Sequence, residues 1–171
     1  MSIKQLFTEL IEKIPAEARE AFLPIPASEQ LEAASEALAQ RTPGAKLPSE
    51  IVELYETCGG QPWEINYEDE LFPTFGLNPL ERAISDYKEL CNLYEFDAKP
   101  YETNEFPKTW YDYRLFPFGW APGTGTVHCV LVDNGEIYDF NPDGGIHLKR
   151  FESVQDLLEK SLEYQAKEFG R

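Results

Sequence analysis

The chain has few basic side chains for its length, and this scarcity excludes two classes of partner. Among 171 residues, 15 Lys and Arg side chains stand against 31 Asp and Glu side chains, and the formal net charge is −16. A field of that sign repels nucleic-acid phosphates and anionic lipid head groups. We therefore expect no direct binding to nucleic acid or membranes, and attraction of a basic partner.

Long apolar runs are also missing. No stretch approaches the roughly 20 consecutive apolar residues that a membrane-spanning helix needs. The first residues, MSIKQLFTELIEK, contain two glutamates and lack the apolar centre of a secretory signal. Both absences favour a cytoplasmic location.

Cysteine and histidine are too sparse and scattered for a disulfide framework or a structural zinc site. The three cysteines are Cys58, Cys91 and Cys129, and no two of them show CxxC spacing. We therefore expect reduced thiols and no metal. His128 and Cys129 are neighbours in a strand pattern that sends their side chains to opposite faces, so they cannot form a nucleophile–base pair. We interpret His128 as structural and expect no catalytic residue and no cofactor. A hydrolase or ligand-binding enzyme is a minor alternative, which a paired nucleophile and base in a deep pocket would revive.

Hydrophobic periodicity predicts helices mainly in the first half of the chain. Apolar residues recur there at steps of three and four, which is the spacing of one helix face. The helices are expected from Ile3 to Ile14, from a Ser28 cap to Pro43, from Pro48 to Cys58, from Pro79 to Tyr94 and from a Ser153 cap to Leu162.

Strand patterns follow, and together with the helices they predict an α+β fold. Apolar and polar residues alternate over 63–67, 126–132, 137–140 and 146–149, and Phe72 to Leu77 forms another short apolar stretch. Asn134 and Gly135 predict a two-residue type I′ hairpin, because both central residues of that turn need positive φ. The expected architecture is a mostly antiparallel twisted sheet with a C-terminal β-meander. N-terminal helices, one central helix and a C-terminal helix flank it.

Four sequence motifs occur in an order that resembles the SUKH superfamily. They are LPSEIVELYETCGG, FGLNPLERAI, LFPFGWAPGTGTVHCVLVDNGEIYDF and FESVQDLLEKSL. The residues that carry the resemblance are Leu47, Pro48, Tyr55, Gly59, Gly60, Pro117, Gly119, Trp120, Gly135, Tyr138, Ser153, Asp156 and Leu157. The resemblance implies one domain over 1–171, with a helical N-terminal extension at 1–44 and a family-like core at 45–165. Members often carry an acidic residue beside the turn before the central strand. This chain has Ala121-Pro122-Gly123-Thr124-Gly125 there, so no role of that acid is carried over.

The superfamily includes fungal cell-wall-assembly regulators and bacterial immunity proteins that neutralise toxins, often nucleases. The resemblance therefore implies a non-catalytic protein-binding domain, of which an immunity protein that binds a basic cognate toxin domain is the leading interpretation. The alternative is a regulatory or scaffold protein of cell-wall or stress pathways that binds endogenous partners. Because an edge strand can pair with another copy, the chain is expected to be a monomer or a homodimer.

Residues 94–113, which we call the acidic–aromatic segment, carry seven aromatic residues interleaved with acids. In one interpretation the rings cover the sheet while the acids face water. In the other the segment binds a partner, because aromatic side chains supply affinity and carboxylates steer a basic surface. The expected partner-binding residues are Glu95, Asp97, Tyr101, Glu102, Glu105, Phe106, Trp110, Tyr111 and Asp112.

Overall fold

The computed structural model describes residues 1–14, 16–62, 75–93, 111–121, 124–142 and 146–170. These residues form six helices and five strands. The helices are α1 (Ile3–Glu12), α2 (Ala16–Glu20), α3 (Ser28–Arg41), α4 (Ser49–Tyr55), α5 (Leu80–Leu93) and α6 (Val154–Phe169). The strands are β1 (Gly76–Leu77), β2 (Leu115–Ala121), β3 (Thr126–Leu131), β4 (Ile137–Asn141) and β5 (Ile146–Phe151). The α+β prediction is confirmed.

The five strands form one sheet in the order β1-β2-β3-β4-β5, and each neighbouring pair is antiparallel. The predicted C-terminal meander is therefore present, with β2 and β1 added on its N-terminal side. The register of β2 against β3 shifts between Pro117 and Gly119, which marks a β-bulge. The strand predicted over 63–67 lies outside the described residues, and the stretch predicted from Phe72 is described only from Phe75 onward.

Helix α1 begins with a reciprocal cap. The Ser2 hydroxyl accepts the Gln5 N–H at 3.2 Å, and the Gln5 side chain accepts the Ser2 N–H at 2.9 Å. The apolar face of α1 packs against α6 and α4. The buried residues on that face are Ile3, Leu6, Phe7 and Leu10.

The N-cap of α3 lies one residue earlier than the sequence indicated. Ala27 is the N-cap, and Ser28, which we had expected there, is the first helical residue. The reason is the Gln30 side chain, whose oxygen accepts the Ala27 N–H at 2.9 Å and draws the chain into the helix one residue sooner.

Helices α3 and α5 lie side by side and run in the same direction. Near their N-terminal ends, the Gln30 amide donates to the Glu81 carboxylate at 2.8 Å. At their C-terminal ends, the Arg41 guanidinium donates to the Asn92 side-chain oxygen, also at 2.8 Å. Because parallel neighbours place their negative dipole ends together, Arg41 is in a position to offset that charge.

The buried apolar side chains form one cluster that runs from Ile3 in α1 to Leu158 in α6. Helix α5 packs on β2, where the Tyr87 ring lies 5.8 Å from the Phe116 ring, and the Tyr87 hydroxyl donates to the Tyr113 carbonyl at 2.8 Å. The N-terminal helix therefore shares one core with the sheet. Among the described residues, no helix is long and apolar enough to cross a membrane.

Candidate partner-binding surface

The structure describes two of the nine residues that the sequence analysis selected for partner binding. These two, Tyr111 and Asp112, form the C-terminal end of the acidic–aromatic segment and lead into β2. The other seven lie outside the described residues: Glu95, Asp97, Tyr101, Glu102, Glu105, Phe106 and Trp110.

Tyr111 is a core residue and fixes the end of the segment to the sheet. Its side chain is 4% exposed, and its hydroxyl donates to the Leu115 carbonyl. Its ring lies 6.3 Å from the Tyr87 ring and 5.2 Å from the Phe140 ring, both in edge-on geometry. At this position the interpretation in which rings cover the sheet holds, because Tyr111 does not present its ring to solvent.

Asp112 faces solvent and belongs to a clamp of three charged residues. Its carboxylate accepts the Arg114 guanidinium at 2.7 Å, and the same guanidinium donates to Asp133 at 3.0 Å. The hydrogen bond that the Arg114 guanidinium donates to Asp112, and to a lesser extent the one to Asp133, raises the pKa of Arg114. The clamp joins Asp112, at the end of the acidic–aromatic segment, to the turn between β3 and β4.

The turn between β3 and β4 differs from the predicted type I′ hairpin. Gly135 has a φ of +80°, but no non-glycine residue in the described ranges has positive φ, so Asn134 does not adopt the required conformation. The Leu131 carbonyl accepts the Gly135 N–H at 2.8 Å, and the Leu131 N–H donates to the Glu136 carbonyl at 2.8 Å. These bonds close a loop that is longer than two residues and contains one left-handed glycine. The Asn134 side-chain oxygen accepts the Glu136 N–H at 3.0 Å within this loop, and the Val132 N–H donates to the Arg114 carbonyl of the neighbouring chain segment at 2.9 Å.

A second charged group continues the surface along the sheet. Lys149 of β5 donates to Glu136 at 2.5 Å and to Glu152 at 2.7 Å, and the Tyr138 hydroxyl donates to Glu136 at 3.1 Å. Lys149, followed by the other hydrogen-bond donors, lowers the pKa of Glu136. Glu136 is therefore ionised at neutral pH. With the clamp, this region carries four carboxylates and two cations.

The three cysteines lie in the described core. Cys58, Cys91 and Cys129 are buried, and none of them forms a disulfide bond. Burial raises the pKa of Cys58 to about 12, and it raises the pKa of Cys129 as well. Because the thiolate is the reactive form, neither Cys58 nor Cys129 is activated at neutral pH.

Thiol labelling tests this assignment. In the native protein at pH 8, all three cysteines should react with a disulfide reagent at least about a hundredfold more slowly than in urea, since burial shields all three and keeps Cys58 and Cys129 protonated. The pKa of Cys58 is higher in the folded protein than in the unfolded chain. Its contribution to the free energy of unfolding is therefore fully present below about pH 9 and is lost as the pH rises toward 12. Rapid native labelling of one thiol, or stability that does not fall above pH 9, would contradict the assignment.

His128 is buried, and its side chain contacts Asp139. Its Nδ1 lies 2.6 Å from an Asp139 oxygen, and the other Asp139 oxygen accepts the Arg150 guanidinium at 2.8 Å. The His128 ring also lies 6.4 Å from the Phe151 ring. Cys129, by contrast, lies beside the Tyr111 hydroxyl. The opposite orientation of His128 and Cys129 is as expected.

A groove of about 210 Å³ lies between α3 and α5. The sequence analysis did not predict it. This volume is below the roughly 300–1,000 Å³ of usual small-molecule sites. The lining residues are Ala37, Gln40, Arg41, Tyr87, Lys88, Cys91 and Asn92. They include no histidine or carboxylate to act as a base for the thiol. Within the described ranges, no group of three His, Cys, Asp or Glu residues is arranged to hold a metal ion.

Two glycines within the family-like motifs, Gly76 and Gly119, allow strands to approach closely. A Cβ at Gly119 would lie 2.4 Å from the Gly76 carbonyl oxygen, and a Cβ at Gly76 would lie 2.1 Å from the Trp120 ring. Ser153 caps α6 by accepting the Asp156 N–H at 3.1 Å. These motif residues support the fold.

The fold and its surface define an α+β domain that presents an acidic face beside an antiparallel meander. The family model described as SMI1 / KNR4 family (SUKH-1) matches residues 26–160. The chain belongs to this family, as the motif order had indicated. A search of curated proteins finds none that matches the chain.

Proposed function

We propose that this protein is a non-catalytic binding module that neutralises a basic cognate toxin domain by direct contact. The observation that carries the proposal is the net charge of −16 on a member of the SMI1/KNR4 family. Opposite charge accelerates diffusional encounter and fixes orientation, so a strongly acidic chain is suited to capture a cationic partner.

The described part of the acidic surface supports the proposal. Around the β3–β4 turn, the carboxylates of Asp112, Asp133, Glu136 and Glu152 outnumber the cations Arg114 and Lys149. The two cations hold the four acids in fixed positions, which reduces the entropy that a partner must remove on binding. A Lys or Arg of the partner would compete with Arg114 and Lys149 for the same carboxylates.

A nuclease is the toxin class that best fits this chemistry. Nuclease domains bind phosphates with basic side chains, and carboxylates on a bound protein can take the places of those phosphates. In this proposal Glu95, Asp97, Glu102, Glu105 and Asp112 supply the carboxylates. The rings of Tyr101, Phe106 and Trp110 supply anchoring area, while Tyr111 fixes the end of the segment.

The experiment that tests the proposal is co-expression with toxin-like proteins encoded beside this gene, combined with affinity capture from the native organism. Restored growth together with a stable complex is the expected result. Loss of rescue, with cell-wall or signalling proteins retained on the column, would instead favour the regulatory alternative.

Charge reversal within the acidic–aromatic segment should slow toxin association. The double variant Glu102→Lys and Glu105→Lys is expected to reduce the association rate by about tenfold or more in low salt, because the partner loses electrostatic steering. Stopped-flow or surface-based kinetics would measure the rate. Raising the salt concentration should weaken wild-type binding and shrink the difference between wild type and variant.

A matched control carries the same change in net charge on other elements. Glu12→Lys with Glu163→Lys alters the last residue of α1 and a residue within α6, both distant in sequence from the segment. It is expected to slow association by much less. Equal slowing by both double variants, or toxin binding that does not depend on salt, would overturn the role assigned to the segment.

A further inference from the structure

The two edges of the described sheet differ in how they are closed. At the β1 edge, the Gln61 N–H donates to the Leu77 carbonyl at 2.8 Å, and the Gln61 side-chain oxygen accepts the Leu77 N–H at 2.8 Å. Gln61 is buried, so both backbone groups of Leu77 are satisfied on that side. This edge cannot accept another strand at Leu77.

The β5 edge is open across the described residues. Strand β5 pairs with β4 on one side, and no other described backbone group hydrogen-bonds to it. In an antiparallel edge strand, alternate residues direct N–H and C=O groups away from the sheet, where they are available to another strand. Leu148, in the middle of β5, is 57% exposed.

Charge is locally balanced on β5, unlike the chain as a whole. Lys149 is bound by Glu136 and Glu152, and Arg150 is bound by Asp139. Lysine on an edge strand usually prevents association by projecting beyond the edge. Here the ion pairs draw Lys149 and Arg150 back to acids of the same chain, so β5 keeps an open backbone, an exposed leucine and little net charge.

We propose that two copies of the chain pair through β5 in an antiparallel, two-fold arrangement that joins their sheets. The occupant is a second copy because the strand is self-complementary in one register. When Leu148 lies opposite Leu148 of the second copy, Lys149 comes opposite position 147 and Arg150 opposite position 146, neither of which is Lys or Arg. Registers that bring Lys149 and Arg150 opposite each other oppose like charges. This inference is independent of the toxin partner.

The dimer should be weak and should strengthen with salt. Pairing of one six-residue strand buries much less than the roughly 1,200–2,000 Å² of a stable interface, so we expect a dissociation constant on the order of micromolar or weaker. Each copy carries a formal charge of −16, and salt screens their repulsion. This dependence is opposite in sign to that expected for binding of a basic toxin.

Sedimentation velocity of the full chain over a concentration series, in low and high salt, tests the proposal. Wild type should shift from monomer to dimer with concentration, and Leu148→Arg should raise the dissociation constant by roughly tenfold or more, since it loses an apolar contact and adds like charge. Leu93→Arg is the matched control: it makes the same change at a leucine that is 63% exposed at the end of α5. It should dimerise as wild type does, and circular dichroism verifies that both variants are folded.

Oxidative cross-linking tests the register directly. Directly opposed residues of antiparallel strands lie about 4.5–5.5 Å apart between Cα atoms, within reach of a disulfide. Leu148→Cys should therefore give a covalent dimer under mild oxidation, while Leu93→Cys and wild type should not. A wild type that stays monomeric at high concentration in high salt would overturn the proposal, as would a dimer that Leu148→Arg leaves intact.

Discussion

Phe7→Ala is expected to lower the free energy of unfolding by about 3–5 kcal/mol, because it removes a fully buried ring and leaves a cavity. Phe7 lies in α1, before the residues that match the family model. It nevertheless packs in the same cluster as the sheet. A loss of this size would be a large part of the roughly 5–15 kcal/mol that stabilises a typical domain.

Urea denaturation, followed by circular dichroism, measures this loss. Phe7→Leu keeps most of the volume and should cost less than half as much. Ile25→Ala changes an apolar residue that is 56% exposed, and it should stay within about 0.5 kcal/mol of wild type. If the urea concentration at the midpoint of unfolding is the same for Phe7→Ala and wild type, α1 is not an integral part of the core. In that case residues 1–14 are a removable extension.

Local patterns predicted five of the six described helices, because each of those five has an apolar face of its own, whereas α2 was not predicted. Apolar residues three or four positions apart share one face of a helix, and in α1 and α5 that face is buried. Its members include Leu6, Leu10, Tyr87 and Cys91. Helix ends were less certain, since a single side chain decides them. At α3, the Gln30 side chain moved the N-cap from Ser28 to Ala27.

Composition alone did not decide the local structure at two places. Asn134 and Gly135 have the composition of a type I′ turn, yet Asn134 does not adopt positive φ, and its side-chain oxygen accepts the Glu136 N–H at 3.0 Å in a longer loop. The alternation of rings and acids in the acidic–aromatic segment likewise did not show which ring is buried. Tyr111 is buried because Tyr87 and Phe140 lie where its ring can pack.

The sequence predicted the charge of the candidate surface but not which charged residues form ion pairs with one another. Composition alone showed an excess of acids. The clamp from Asp112 through Arg114 to Asp133 depends on two strands being neighbours, and so does the arrangement of His128, Asp139 and Arg150. Pairs of this kind need the register of the sheet, which a single sequence does not provide.

Gly59→Ala should destabilise the protein by about 2–4 kcal/mol, although it adds one methyl group. A Cβ at Gly59 would lie 1.8 Å from the Pro24 carbonyl oxygen, which is a backbone atom and cannot rotate away. The contact exists because Leu23 exchanges two backbone hydrogen bonds with this segment: Leu23 N–H donates to Gly60 at 2.9 Å, and Gly59 N–H donates to Leu23 at 3.1 Å. The added methyl group must push the two segments apart or break both bonds.

Gly44→Ala is the control that separates a steric clash from backbone strain. Gly44 has a φ of +81°, but no atom lies within 4 Å of the point that a Cβ would occupy, so alanine there should cost only about 1 kcal/mol. Denaturant unfolding of both variants gives the comparison. The Gly59-Gly60 pair follows shortly after α4, and if it served only to end that helix, Gly59→Ala would cost no more than Gly44→Ala. A clearly larger loss at Gly59 would show that the pair also fastens the N-terminal region, through Leu23, to the family core.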